Sequence, residues 1–418
     1  MSALISSYDK SGYDKSRPIR IAIVGAGLSG LAVANGLLKD PNGRFEVQVY
    51  ERDDIAFDSE RGGYQLRISE GGLNALRTIA DHDLWSSLSQ VWAGDESRAP
   101  ALADPKDFNP LLLQKRVHFN HLFTNFDYLS SGVAADGSNS RVNRQVGLNN
   151  KVKLDRWTLF QARGSIDNSV HDSLPSAVCE EGSILFLGGH KTTGFVSVYD
   201  PQPDLSNAGK QTYTLYWTLL IPSIHGKPML QEGDNEAARV LPLLEDYLCN
   251  DLGYSDSLPR VMNAATEHFL TALLTSSVRP ATNWRMAPDA APSNARVILL
   301  GDAVHPMTPG RGMGANQALT DAGELVKLLH AARFEGDVPN DLELADLVRL
   351  FEKEMYDRTF KMVKSSETMT DLDLTRWNGR LILMAISALL MVLGWGVTLL
   401  EVVDLKQRQN VDFMVYQP

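Results

Sequence analysis

The 418-residue chain is poor in cysteine, has no excess of positive charge and carries no internal repeat or low-complexity tract. Its two cysteines, Cys179 and Cys249, stand 70 positions apart, a spacing that builds neither a disulfide framework nor a zinc site. No metal is expected, and a reducing, cytosol-facing setting fits. The 40 Lys and Arg against 51 Asp and Glu leave a formal charge of -11, which excludes the basic face that a nucleic-acid partner needs. Residues 1–18 are polar and lack an apolar stretch, so they read as a flexible N-terminal lead-in and not a secretory signal. What remains, at 44% hydrophobic and 22% charged, is ordinary for a globular protein long enough to hold two joined domains.

One long apolar run is present. Residues 381–400, LILMAISALLMVLGWGVTLL, hold no charge in 20 positions. As a helix they span about 30 Å, the thickness of a bilayer core. A C-terminal transmembrane helix over 381–402 is therefore expected, against the alternative of a buried core or interface helix. Lys361, Lys364, Arg376 and Arg380 precede it and Lys406 and Arg408 follow it. That bias predicts a single-pass membrane protein, in the endoplasmic reticulum, whose large domain faces the cytosol.

Three short stretches carry the chemistry. Residues 21–24 form a β-run that ends in Gly25-Ala26-Gly27-Leu28-Ser29-Gly30, an apolar helix continues to residue 38, and a second β-run, 45–50, ends on Glu51. Strand, G-x-G-x-x-G turn, helix, strand and acid in this order make a dinucleotide site. The glycines permit a tight turn and close approach of a diphosphate, while Glu51 would accept from ribose hydroxyls. The second stretch, 133–141, has an Asp136-Gly137 turn followed by Ser, Asn and Arg, as at a strand-to-helix corner beside a phosphate. The third, 296–322, is a β-run ending on Gly301-Asp302, then a loop with two Pro and three Gly over 306–314, then a helical pattern. Asp302 would accept a sugar hydroxyl, and the loop amides and helix start would face an electron-rich ring or phosphate.

Taken together, G-x-G-x-x-G with a following Glu, an A-D-G-S-x-S-R corner and a G-D-A-x-H-P-x-x-P-x-x-G-x-G-x-N stretch resemble the FAD-dependent aromatic hydroxylases. These are single-component flavoprotein monooxygenases, and the likeness extends to their fungal salicylate hydroxylase-like relatives. The resemblance covers residues 19–330. It implies an α/β fold: a Rossmann-like FAD-binding domain with an inserted, mostly β substrate domain. It further implies FAD held by Gly25, Gly27, Gly30, Glu51, Gly63, Asp136, Asp302, Gly312, Gly314 and Ala315. NAD(P)H would be a transient co-substrate, since the chain has no second fingerprint of its own for a nicotinamide. The implied activity is insertion of one oxygen atom of O₂ into an aromatic or other electron-rich small molecule, by hydroxylation or epoxidation, in secondary metabolism. A flavin-binding relative without that activity, or a flavin dehydrogenase or reductase, are the alternatives.

The domain boundaries read from the chain are 19–145 and 286–370 for the two parts of the FAD-binding domain and 146–285 for the substrate-covering sheet. The passage 81–131 is abridged relative to the family and lacks an alignable counterpart of its adenosine-side arginine, for which Arg116 is the nearest substitute. Runs at 183–187, 194–198 and 212–221 alternate as strands, whereas 235–250, 264–276, 318–332 and 342–368 read as helices. His190, Tyr213, Tyr216 and Trp217 are candidate pocket residues. His305, inside the third motif, reads as structural, and no side chain is assigned a catalytic role.

Overall fold

The computed structural model describes residues 18–51, 68–80, 84–85, 101–103, 110–112, 133–187, 192–198, 202–203, 211–230, 236–286, 296–332 and 341–370. From the N-terminal side, β1 (Ile19–Val24) leads to α1 (Leu28–Leu38), β2 (Phe45–Tyr50) and α2 (Glu70–Ile79). Next come β3 (Ala101–Ala103), β4 (Pro110–Leu112), β5 (Val133–Ala134), α3 (Arg141–Gln145) and the 17-residue β6 (Lys151–Asp167). α4 (Asn168–Ser173), α5 (Ser176–Glu181), β7 (Ser183–Leu187), β8 (Thr193–Val198), β9 (Gln202–Pro203) and β10 (Gln211–Pro222) follow. The elements that follow include α6 (Glu236–Asp246), α7 (Ser257–Ala264), β11 (Leu270–Ser277), β12 (Ile298–Leu299), α8 (Gly314–Ala331) and the 30-residue α9 (Asp341–Thr370).

The first sheet is parallel, in the order β12-β5-β1-β2. Parallel neighbours require a crossover; α1 provides it between β1 and β2. Small residues let the covering helices approach closely. A Cβ at Gly36 of α1 would lie 2.7 Å from Val326 of α8, and one at Gly323 of α8 would lie 2.9 Å from Ala75 of α2. Ile23, Val33, Leu37, Leu319, Leu325 and Phe351 fill the core beneath these contacts.

The second sheet runs β11-β6-β10-β8-β7-β3-β4, with β9 added on β10. Its pairings are antiparallel except β3 with β7. Because strand side chains alternate between faces, Phe160 and Ala162 of β6 and Leu215, Trp217 and Leu219 of β10 form one face. They pack with Val240, Leu244, Leu258 and Val261 of α6 and α7. On the other face Leu159, Gln161 and Arg163 pair with Leu220, Thr218 and Tyr216, and Thr218 pairs with Phe195 of β8. Of these seven only Leu220 is fully buried. β3 and β4 belong to this sheet, so the chain enters it at 101–112, within the 19–145 span, before β5 returns to the first sheet.

Several expectations change. Residues 264–276 are not a helix: α7 stops at Ala264, and Leu270–Ser277 is strand β11. Its leucines fit a helix face as well as a strand, and the free edge of β6 decides, pairing from Leu270↔Gln161 to Ser277↔Lys151. The passage after β6 holds two short helices, α4 and α5, before β7. Trp217 and Tyr213 pack on the helix side of the second sheet. Trp217 is in the helix-side core and donates from Nε1 to Ala265 O at 2.8 Å, and Tyr213 stacks on His171 with ring centroids 4.1 Å apart. Among the described residues no helix is long and apolar enough to cross a membrane. Residues 381–402, Gly63, His190, Arg116 and most of 81–131 lie outside the described residues.

Candidate functional site

All three motifs converge at the carboxyl ends of the parallel strands, where ligands bind in open α/β sheets. The first turn is packed against the second motif. Gly25 has φ +102°, and a Cβ there would lie 2.5 Å from Ala135 O and 3.0 Å from Asp136 Cα. A Cβ at Gly30 would lie 2.1 Å from Gly25 O. Gly27 is different: its Cβ would meet nothing within 4 Å. The helix after it, α1, has no side-chain cap and no acid in its first turn. Its leading N–H groups therefore point a positive dipole end at the turn. Glu51 folds back over the same turn, its Oε2 accepting the Ala26 N–H at 2.7 Å.

The second motif is the strand-to-helix corner its residues suggested. Ala135 N donates to Val24 O at 2.8 Å. Asp136 Oδ2 accepts from the Arg141 and Val142 amides at 2.9 and 3.3 Å, capping α3, while its buried Oδ1 has no hydrogen-bond partner among the described residues. Two buried amides then tie this corner to the third motif. Asn143 Nδ2 donates to Asn150 Oδ1 and to Ala303 O, at 2.9 and 2.8 Å, and Asn150 Nδ2 donates to Val278 O and Val304 O, at 2.9 and 2.8 Å.

The third motif starts at Gly301, φ +58°, where a Cβ would come within 3.0 Å of Ser29 Oγ and 3.2 Å of Ala318 Cβ. That close approach sets Asp302 beside the start of α1. Its Oδ1 also lies 3.9 Å from where a Cβ on Gly314 would stand, at the start of α8. Asp302 reaches solvent, yet burial pushes its pKa above the usual carboxylate range, with His305 and Lys151 pulling it down and Asp321 adding to the rise. Access combined with desolvation is the signature of a cleft wall. Gly312, φ +60°, has nothing within 4 Å of its would-be Cβ, and Ala315 lies half-buried in the first turn of α8, which like α1 has no side-chain cap. Asn316 fixes this loop from inside, donating to Gly312 O at 3.2 Å and accepting the Ser69 N–H.

Behind the loop sits a buried hub that no motif announces. Asp321 Oδ2 accepts the Gly301 N–H at 2.9 Å and bonds His305 Nε2 at 2.5 Å, while its Oδ1 pairs with Arg358 Nη2 of α9 at 2.9 Å. Burial alone would raise the Asp321 pKa, but His305 and Arg358 together outweigh it and hold the group below the ordinary range. His305 is fully buried in this hub. Lys151, at the start of β6, is a second unannounced residue: its ammonium donates to Gly137 O and Ser138 O at 2.8 and 2.9 Å. A signal for Asp321 existed in principle, as an acid inside an otherwise apolar helical stretch. Lys151 gave none.

Glu51 follows β2 and Asp302 follows β12, the two outer strands of the sheet. Three strand spacings separate them, about 14 Å, with both ends open to one edge. A glycine-turn Rossmann unit, a Gly-Asp loop and a second sheet define a dinucleotide-binding flavoprotein. The profile of the FAD binding domain family matches residues 127–342, more than half of the chain, and the chain belongs to that family.

Known relatives agree with it. The FAD-dependent monooxygenase penE of Penicillium thymicola is 40% identical over 73 residues, 17% of this chain and 15% of that protein. The chain spans only 15–17% of the length of the first curated relatives it matches. Klebsiella pneumoniae HpxO, solved with FAD and uric acid, has the same fold, with a TM-score of 0.59 at 16% identity over 88% of this chain and 92% of HpxO. A salicylate hydroxylase substrate complex gives 0.56 at 16% identity over 90% and 94%.

The residues present fit FAD. Two uncapped helix starts suit a diphosphate and a flavin ring edge, and Glu51 and Asp302 offer acceptors for sugar hydroxyls. Gly27, Gly137 and Gly312 leave backbone that no Cβ would obstruct.

Proposed function

We propose that the protein is an FAD-dependent monooxygenase that uses NAD(P)H and O₂ to hydroxylate or epoxidise an aromatic or other electron-rich, apolar small molecule. The observation that carries this reading is the convergence of the three motifs on one strand edge, with Asp302 between two open helix starts. Bound flavin supplies the reduction by NAD(P)H and the activation of O₂. The chain holds and orients. In this reading Gly25, Gly27 and Gly30 admit the diphosphate, Glu51 and Asp302 grip ribose and ribityl hydroxyls, and the amides at 312–314 and the start of α8 face the flavin ring. Ala315 completes the cradle, to which Gly63 would be added by the family resemblance alone. Asp136 orders the corner by capping α3, which supports the Gly137 backbone in place.

The substrate would lie against the partly open face of the second sheet. Leu159, Leu185, Phe195 and Tyr216 there offer apolar and aromatic contact, with Phe195 and Tyr216 rings 6.4 Å apart, and Gln161, Arg163 and Thr218 offer polar anchors. Excluding water from that space keeps reducing equivalents from being lost as peroxide. Residues 19–145, apart from β3 and β4, and 286–370 would act as the cofactor half, and 146–285 together with β3 and β4 as the roof. The run 381–402 would anchor the chain as a single-pass protein of the endoplasmic reticulum with the flavin site toward the cytosol, its support being the charge-free residues 381–400 and the flanking lysines and arginines.

The test is to purify the FAD-loaded protein and follow NADH and NADPH oxidation against a panel of phenols, prenylated aromatics and terpenoid alkenes, with ¹⁸O₂. Substrate-stimulated oxidation with one labelled oxygen in the product is expected. Turnover only with artificial acceptors under anaerobic conditions would replace this reading with a reductase. Partition of the full chain into membranes, lost on removal of 381–402, tests the anchor.

A further inference from the structure

The cleft is rich in negative charge. Asp136 and Asp302 flank its centre, Glu51 closes one end, and a bound FAD adds a diphosphate. Such an assembly needs a cation. Among the described residues Lys151, half-buried at the start of β6, is a cation that feels both central carboxylates.

Its placement is built, not incidental. An ammonium has three donors. Two go to the carbonyls of Gly137 and Ser138, at 2.8 and 2.9 Å, and the third has no hydrogen-bond partner among the described residues. Neither Asp136 nor Asp302 approaches within ion-pair distance of it, though both act on it through space. The two carbonyls thus hold an incompletely bonded ammonium at the Asp136-Gly137 corner, within electrostatic reach of Asp302 and beside Gly137, whose would-be Cβ meets nothing within 4 Å.

We infer that Lys151 is a cofactor-binding residue, the cation that takes the third hydrogen bond from its ammonium to an anionic oxygen of the FAD diphosphate. This rests on the FAD reading above and extends it to a residue outside every motif. It places a positive charge from β6 at the diphosphate, whatever the 81–131 passage contributes.

A pH signature follows. Burial lowers the Lys151 pKa to about 8 against the pull of Asp136 and Asp302, with Arg144 on α3 and Lys153 on β6 acting in the same direction as burial. Binding of a diphosphate favours the protonated form. Affinity for FAD is then full below pH 8 and falls as pH rises through 8, by up to about tenfold per pH unit, until the higher pKa of the complex is reached.

The experiment compares FAD and riboflavin binding to apoprotein for wild type, Lys151→Met and Lys151→Arg, from pH 6.5 to 9.5, with thermal unfolding of each apoprotein as a folding check. Expected are a loss of FAD affinity of about tenfold or more in Lys151→Met, unchanged riboflavin affinity, a flat pH profile, and recovery in Lys151→Arg. Equal weakening of FAD and riboflavin would assign Lys151 to shape alone and overturn the inference. So would FAD binding in Lys151→Met that matches wild type. Wild-type protein that binds neither flavin would instead remove the FAD reading itself, and this inference with it.

Discussion

The two walls of the cleft are held by opposite means. On the Gly25 side the chain is packed backbone to backbone: Gly25 against Ala135 and Gly30 against the Gly25 carbonyl, with room for no further atom. On the Asp302 side the loop is open in front, at Gly312, and fixed from behind by Asp321 with His305, Arg358 and the Gly301 amide. One wall is steric and the other ionic. Glycine therefore means two things in this chain: at Gly25 and Gly30 it satisfies the fold, while at Gly27, Gly137 and Gly312 it leaves room that the fold does not use.

That contrast can be broken most severely at the ionic wall. Asp321→Ala takes the partner from a buried imidazole and from the Gly301 amide, while Arg358 keeps Glu354 and Gln317, so a stability loss of about 3–5 kcal/mol is expected by chemical denaturation. A loss below about 1 kcal/mol would show that the loop stands without its hub. On the steric wall, Gly30→Ala forces a Cβ onto the Gly25 carbonyl, and a loss of about 1–3 kcal/mol or outright misfolding is expected in the same assay. Gly27→Ala sharpens the contrast. Its added methyl meets nothing in the chain, so unfolding should be unchanged while FAD affinity drops about tenfold, close to 1.4 kcal/mol. Equal effects of Gly30→Ala and Gly27→Ala on stability would erase the distinction between the two kinds of glycine.

Much of this was legible locally. The turn at Gly25, β2 ending just before Glu51, the Asp136 corner and the Gly301-Asp302 turn after β12 depend on residues adjacent in sequence, and each forms where its spacing places it. The runs at 183–187 and 212–221 were equally plain from alternation, and they form strands at 183–187 and 211–222. What the sequence hid is whatever depends on distant partners. Leu270–Ser277 became a strand because the edge of β6 was free to pair with it. Trp217 and Tyr213 turned toward α4–α7 because the parity of β10 is set by the helices packed on one face, which no local pattern states. Lys151, Asn143, Asn150 and Arg358 carry no motif, since each acts on a loop contributed from elsewhere in the chain.

The account depends on Asp302 and the glycine turn of β1 gripping one flavin nucleotide. Its most direct test is the visible spectrum of purified protein before and after addition of FAD, for wild type and Asp302→Ala with matched thermal stability. The expected result is a yellow wild-type protein that retains FAD through gel filtration and a folded Asp302→Ala that does not. A wild type that stays colourless with FAD, or an Asp302→Ala that keeps its full flavin content, would contradict it.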